Sequence, residues 1–114
     1  MIEEYKIGRF VVEGEEFLGD LKMKLGKPHY WQTRERRKLR IEDIKDLVEE
    51  QPDVFIIGTG AGGMLQVGEE ITNYIYNNSG KVFVIQEKNT EAIESYNKAE
   101  KQKKKVCAIF PSGC

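Results

Sequence analysis

Four consecutive large apolar residues, Val54, Phe55, Ile56 and Ile57, run directly into glycines at positions 58, 60 and 63. Nothing else in the chain constrains its fold as strongly. A short unbroken apolar run bounded by turn residues reads as a strand buried on both faces, and such strands belong to sheets that helices cover above and below. The pattern recurs at residues 82–86 and 106–110. Between these runs the spacing changes to that of amphipathic helices. One is expected over about 66–77, with Val67, Ile71, Tyr74 and Ile75 inward and Asn78-Ser79-Gly80 as its stop. The other begins after Asn89-Thr90, either of which can cap it, and buries Ala92, Ile93, Tyr96 and Ala99. The second half of the chain is therefore a βαβαβ unit of an α/β fold.

The first half has a different texture. Apolar residues recur at short spacing over 5–12 and 16–25, with strict alternation at Leu21-Lys22-Met23-Lys24-Leu25, and Glu13-Gly14 supplies the turn of an N-terminal β-hairpin. Gly26-Lys27-Pro28 is expected to end the second strand. Ile41, Ile44, Leu47 and Val48 then share one helical face until Pro52 stops the helix. No repeat or low-complexity linker divides the chain, so one domain over 1–114 is expected.

Charged residues make up 32% of the chain but sum to a formal net charge of −1, so no global field recruits nucleic acid or an anionic membrane. The opening residues lack the basic start and apolar run of a signal peptide, and no stretch has the length of a membrane span; a cytoplasmic protein is expected. His29 is the only histidine and no C-x-x-C occurs, so neither a metal nor another cofactor is expected. The same scarcity argues against catalysis. Cys107 lies inside a strand, Cys114 ends the chain, and nothing brings either to His29.

Two segments are candidate ligand sites. Gly58, Thr59, Gly60, Ala61, Gly62 and Gly63 have the spacing of a dinucleotide fingerprint, with Glu87 at the end of the next strand as its ribose-binding acid. The same glycines also suit a plain strand-to-helix turn, which is the favoured reading. Between residues 34 and 40, Arg34, Arg36, Arg37, Lys38 and Arg40 follow Tyr30 and Trp31, an arrangement that can stack and neutralise a nucleic acid but also suits a solvated connection. The run of cations over 101–105 fits the end of its helix, where positive charge meets the macrodipole.

The hairpin start, the Trp after it, the helix ending in Pro52-Asp53-Val54, the Gly58-Thr59-Gly60 loop, Thr90-x-Ala92 opening a helix with Tyr96-Asn97, and the terminal strand together resemble the Mth-domain family. Its relatives include an adipogenesis-associated protein and a mitochondrial complex I assembly factor. The resemblance implies a three-layer α/β fold with a central mixed sheet of about five strands, in which strand 106–110 lies directly beside strand 54–57. Where many relatives carry a histidine near the end, this chain has Pro111.

The resulting expectation is a non-catalytic binding or assembly-type factor with a protein partner, its glycine loop shaping a cleft at the carboxyl end of the strand. Two rivals remain open. One is an enzyme or sensor holding a small anion or nucleotide at the loop, with Arg34 or Arg37 as counter-charge; the other is nucleic-acid binding through Trp31 and the arginines.

Overall fold

The computed structural model describes residues 1–32 and 37–113. Its elements run β1 (Ile2–Lys6), β2 (Arg9–Val12), β3 (Glu15–Leu18), β4 (Asp20–Lys24), β5 (Lys27–Trp31), α1 (Ile41–Glu49), β6 (Val54–Gly58), α2 (Glu69–Asn78), β7 (Phe83–Glu87), α3 (Asn89–Lys101) and β8 (Val106–Phe110). β1, β2 and β3 form a small antiparallel sheet. The other five strands lie in the order β5-β4-β8-β6-β7. β8 is antiparallel to β4 and parallel to β6, and β6 is parallel to β7, so the larger sheet is mixed.

Alternation along the central strands feeds two cores. Val54 and Ile56 of β6, Val106, Ala108 and Phe110 of β8, and Leu21 and Met23 of β4 meet α3 and the small sheet through Ala92, Tyr96, Phe10 and Phe17. Phe55, Ile57, Cys107 and Ile109 face the other way, onto Ile44 and Leu47 of α1 and Ile71 and Ile75 of α2. This gives the α/β three-layer architecture, with β8 directly beside β6 as the resemblance implied. The two helices of the second core are tied at their ends by Gln51, whose side chain donates to the Asn78 carbonyl at 2.7 Å and accepts from Gly80 N–H at 3.1 Å.

The first half departs from its expected segmentation. Glu13 (φ 49°) and Gly14 (φ 78°) do form the expected two-residue turn, whose doubly positive φ matches the twist of a hairpin. Leu25 (φ 49°) and Gly26 (φ 85°) make a second such turn, so the chain does not stop there but reverses into β5. Pro28 is tolerated because β5 is an edge strand with no outer partner to donate to. Each long strand expected from the sequence is also two: residues 7–8 reverse the chain, and Gly19, at φ 104°, passes it from the small sheet to the large one.

Helix ends differ as well. α2 begins at Glu69 rather than near residue 66, and α3 ends at Lys101, so Lys103, Lys104 and Lys105 lie beyond it rather than in its last turns. No helix among the described residues is long and apolar enough to cross a membrane.

Candidate functional site at the carboxyl end of the sheet

The three parallel strands end together. Gly58 of β6 stands opposite Glu87 of β7, and Ile57 opposite Ile109 of β8. Because β7 flanks β6 on one side and β8 on the other, the chain turns away in opposite directions at β6, and a crevice at such a point is where open α/β sheets bind ligands.

Here the crevice is filled by the chain itself. Asn89, fully buried, accepts from Gly60 N–H through Oδ1 at 3.0 Å and donates from Nδ2 to the Pro111 carbonyl at 2.6 Å. Its own backbone N–H donates to the Gly60 carbonyl at 3.0 Å. Neighbouring loop amides are also engaged: Thr59 N–H donates to Glu87 O at 2.8 Å and Ala61 N–H to Gly113 O at 3.1 Å. A phosphate cradle needs such amides turned outward. The two glycines closest to the seam are needed for space and backbone shape. A Cβ at Gly58 would sit 2.5 Å from Asn89 Oδ1 and from a Phe110 ring carbon, and Gly60 has φ 99°.

α2 completes the contrast with a nucleotide site. Its amino terminus lies beyond the loop rather than opening from it, and its first turn carries Glu69 and Glu70, which oppose an anion. Glu87, the would-be ribose acid, accepts a hydrogen bond from Ser95 Oγ at 2.7 Å. Asn89 is not the cap of α3; Lys88 occupies that position, and the Asn89 side chain is committed to the loop instead.

Trp31 belongs to the same end of the sheet. Its Nε1 donates to both Leu21 O at 3.0 Å and Phe110 O at 3.1 Å, bracing the last rung of the β4–β8 ladder. Arg37 is exposed, in left-handed backbone at φ 60°, and its carbonyl accepts from Gln66 N–H at 2.6 Å. Arg34 lies outside the described residues. The structure thus brings Trp31, Arg37 and residues 58–63 to one end of the molecule.

Of three further contributors to this end, the sequence marks only Tyr30, as a stacking aromatic beside Trp31. Leu18 and Tyr30, 63% and 62% exposed, line a cleft of about 590 Å³ with Asp20, Trp31 and Ser112. Part of the lining is fixed: Ser112 N–H donates to Asp20 Oδ1 at 2.7 Å, and Ser112 O accepts from Gly8 N–H at 3.0 Å. The third is Lys88, whose aliphatic stem lies over Gly63, within 3.2 Å of where a Cβ would stand. A position just past the end of β7, parallel to the glycine loop, is the only sequence signal that marks it.

No group of three or more His, Cys, Asp or Glu side chains able to hold a metal occurs among the described residues. Cys107 is fully buried on the helix-covered face, where loss of solvation pushes its thiol up to about 11.

Comparison with known proteins gives a family without an assigned activity. A model of proteins of unknown function, DUF498/DUF598, matches residues 2–111. A crystal structure of a conserved hypothetical protein from Pyrococcus horikoshii OT3 is 26% identical, with a TM-score of 0.78 over 100% of this chain and 99% of that one. An outer membrane protein from Bartonella henselae, 20% identical, superposes with a TM-score of 0.83 over 96% and 92% of the two chains. A Xanthomonas campestris protein solved by NMR shares the fold at 13% identity and a TM-score of 0.75, over 99% and 84%. The chain matches none of the curated proteins.

Proposed function

The chain belongs to the DUF498/DUF598 family of proteins of unknown function, and we propose that it is a non-catalytic, assembly-type binding protein that receives a protein partner in the cleft beside Trp31. The observation that carries this reading is the pairing of exposed apolar side chains with hydrogen-bonded neighbours in one cleft. Leu18 and Tyr30 present large side chains to solvent, while Asp20, Trp31 and Ser112, which line the same cleft, are held by hydrogen bonds. Rigid aromatic and aliphatic anchors around a concave surface are the usual centre of a protein interface, since little side-chain freedom is lost on docking. The resemblance to the Mth-domain family, with an assembly factor among its relatives, leans the same way.

The test is partner capture. Wild-type protein is expected to retain a specific partner from lysate of its source, and Leu18→Asp or Tyr30→Asp to lose it while melting within a degree or two of wild type. A partner held equally well by both variants overturns the reading.

A second reading is favoured by one observation. The Lys88 side chain over Gly63, on the same end of the sheet as Arg37, offers a cation beside the loop for a small anion. A rise in melting temperature with a nucleotide or a phosphorylated metabolite, abolished by Lys88→Ala, would select it; a ligand at about 100 times its Kd adds about 2.7 kcal/mol.

A further inference from the structure

The two edges of the central sheet are not alike. β5 carries Pro28, which lacks an N–H, and Lys27, both of which discourage further pairing. β7, with the sequence Phe-Val-Ile-Gln-Glu, contains no Pro, no Lys and no Gly. Phe83 is 66% exposed there.

The hydrogen-bond phase of β7 is fixed by its inner neighbour. Phe83 N–H donates to Asp53 O at 2.9 Å, and Glu87 O accepts from Thr59 N–H at 2.8 Å. Residues 83, 85 and 87 therefore direct their backbone groups toward β6. By the alternation of a strand, Val84 and Gln86 direct theirs away from the sheet.

We infer that β7 is a self-association edge, pairing antiparallel with β7 of a second copy about a twofold axis at Val84. The axis follows from two requirements. Outward-facing residues must meet one another, so Val84 opposes Val84 and Gln86 opposes Val82 of the second copy. Side chains on each face must also be compatible. With the axis at Val84, Phe83 lies opposite Ile85 of the second copy, and Lys81, which stands in the bend two residues before β7, comes opposite Glu87 once pairing extends the strand through Val82, each pair occurring twice. Moving the axis to Ile85 would instead set Phe83 against Glu87, placing a carboxylate on an apolar ring. The Val84 register alone satisfies the ladder, the apolar contacts and the charges together.

The α3 side of β7 is shaped for this pairing. A groove of about 470 Å³ runs between the strand and α3, with Phe83, Ile85 and Ala99 as apolar lining and Asp53, Lys98 and Lys104 as charged lining. Phe83 of the second copy, pointing to the same face, enters it beside Ile85. Glu87 is pre-positioned by its hydrogen bond from Ser95 Oγ at 2.7 Å. Pairing of one short strand buries less than the roughly 1,200 Å² of a stable interface, so the dimer is expected to be weak and concentration-dependent. This surface is separate from the cleft beside Trp31, and either can fail without the other.

Sedimentation equilibrium from micromolar to millimolar protein, combined with amide hydrogen exchange, tests the proposal. A dimer is expected, with Val84 and Gln86 amides increasingly protected as concentration rises. Phe83→Lys is expected to raise the dimer Kd by about tenfold or more. Lys81→Glu should weaken association by placing like charges opposite one another, and adding Glu87→Lys should restore it. A chain that stays monomeric throughout, with Val84 and Gln86 exchanging at concentration-independent rates, overturns the proposal. So does a dimer indifferent to Phe83→Lys, or a folded double variant that fails to restore association. Should the double variant not fold, concentration-dependent protection of Val84 decides alone. Protection of that edge only by an added peptide would assign it to another partner and likewise overturn self-association.

Discussion

Asn89 Nδ2 donates to the carbonyl oxygen of Pro111 at 2.6 Å, across the seam where the chain leaves β6, β7 and β8. Because Oδ1 of the same side chain holds Gly60 N–H, one amide satisfies a donor and an acceptor that water cannot reach. Asn89→Ala is expected to strand both, each at roughly 1–3 kcal/mol, and to destabilise the fold by about 2–6 kcal/mol. Asn89→Asp should not rescue it, since a carboxylate cannot donate to Pro111 O. Chemical denaturation of the two variants measures both effects; stability within 0.5 kcal/mol of wild type, on the order of ordinary surface changes, would contradict the role.

Gly58→Ala and Gly60→Ala are expected to fail for different reasons. At Gly58 the added methyl meets Asn89 Oδ1 and Phe110 at 2.5 Å, so the seam must open. At Gly60 the obstacle is a φ of 99°, where an L side chain costs about 1–2 kcal/mol. A melting curve paired with partner titration separates architecture from binding: the Gly60 variant should melt lower yet, once folded, bind its partner as wild type does.

Much of this end of the molecule was legible in the sequence, and the reasons for success and failure are physical. β6 and β8 are buried on both faces, so their apolar runs are unbroken and their positions readable. β5 was hidden because an edge strand of Lys-Pro-His-Tyr-Trp carries little alternation and a proline that usually ends strands. The glycine loop was recognisable as a turn, but its seal was not. Asn89 lies 29 positions from Gly60 and 22 from Pro111, and nothing local distinguishes a buried amide from the helix cap that the same residue could have been. The cleft beside Trp31 was not legible for a related reason: Leu18, Tyr30 and Ser112 come from three distant segments that only the sheet order unites.

Alkaline pH should destabilise the protein through two buried groups. Burial raises the Cys107 thiol from its ordinary value of 9.0 to about 11, and burial followed by the hydrogen bond to Glu100 raises the Tyr96 hydroxyl. Both folded pKa values exceed the unfolded ones, so the unfolded chain loses protons first and is favoured as pH rises. For Cys107 stability is retained below pH 9 and declines between about 9 and 11, by at most about 1.4 kcal/mol per pH unit. Urea midpoints from pH 7 to pH 11 check this, and Cys107→Ser or Cys107→Ala should flatten part of the decline.

At neutral pH the same burial makes Cys107 unreactive. Thiol-labelling of native protein should proceed at the rate of opening of the sheet rather than of the chemistry, and accelerate in urea in step with unfolding. Labelling of Cys107 as fast as a small-molecule thiol would contradict its place beneath α1 and α2.

Trp31→Phe keeps an aromatic ring, though a smaller one, and removes the donor shared by Leu21 O and Phe110 O. A loss of about 1–2 kcal/mol is expected, with faster exchange of the amides at that end of β4 and β8. Unchanged stability would return the indole to the set of residues available for stacking on a ligand.

β8 lies at the heart of the large sheet yet follows every other described element in the chain, with β4 on one side and β6 on the other. As the polypeptide emerges from a ribosome, the hairpin of β4 and β5 and the βαβ unit of β6, α2 and β7 therefore wait as two incomplete halves with bare inner edges. Insertion of one strand closes both at once. Folding is in this sense withheld until synthesis has passed Phe110, and the nascent chain is most exposed to chaperones and to misassociation in the interval before that strand arrives.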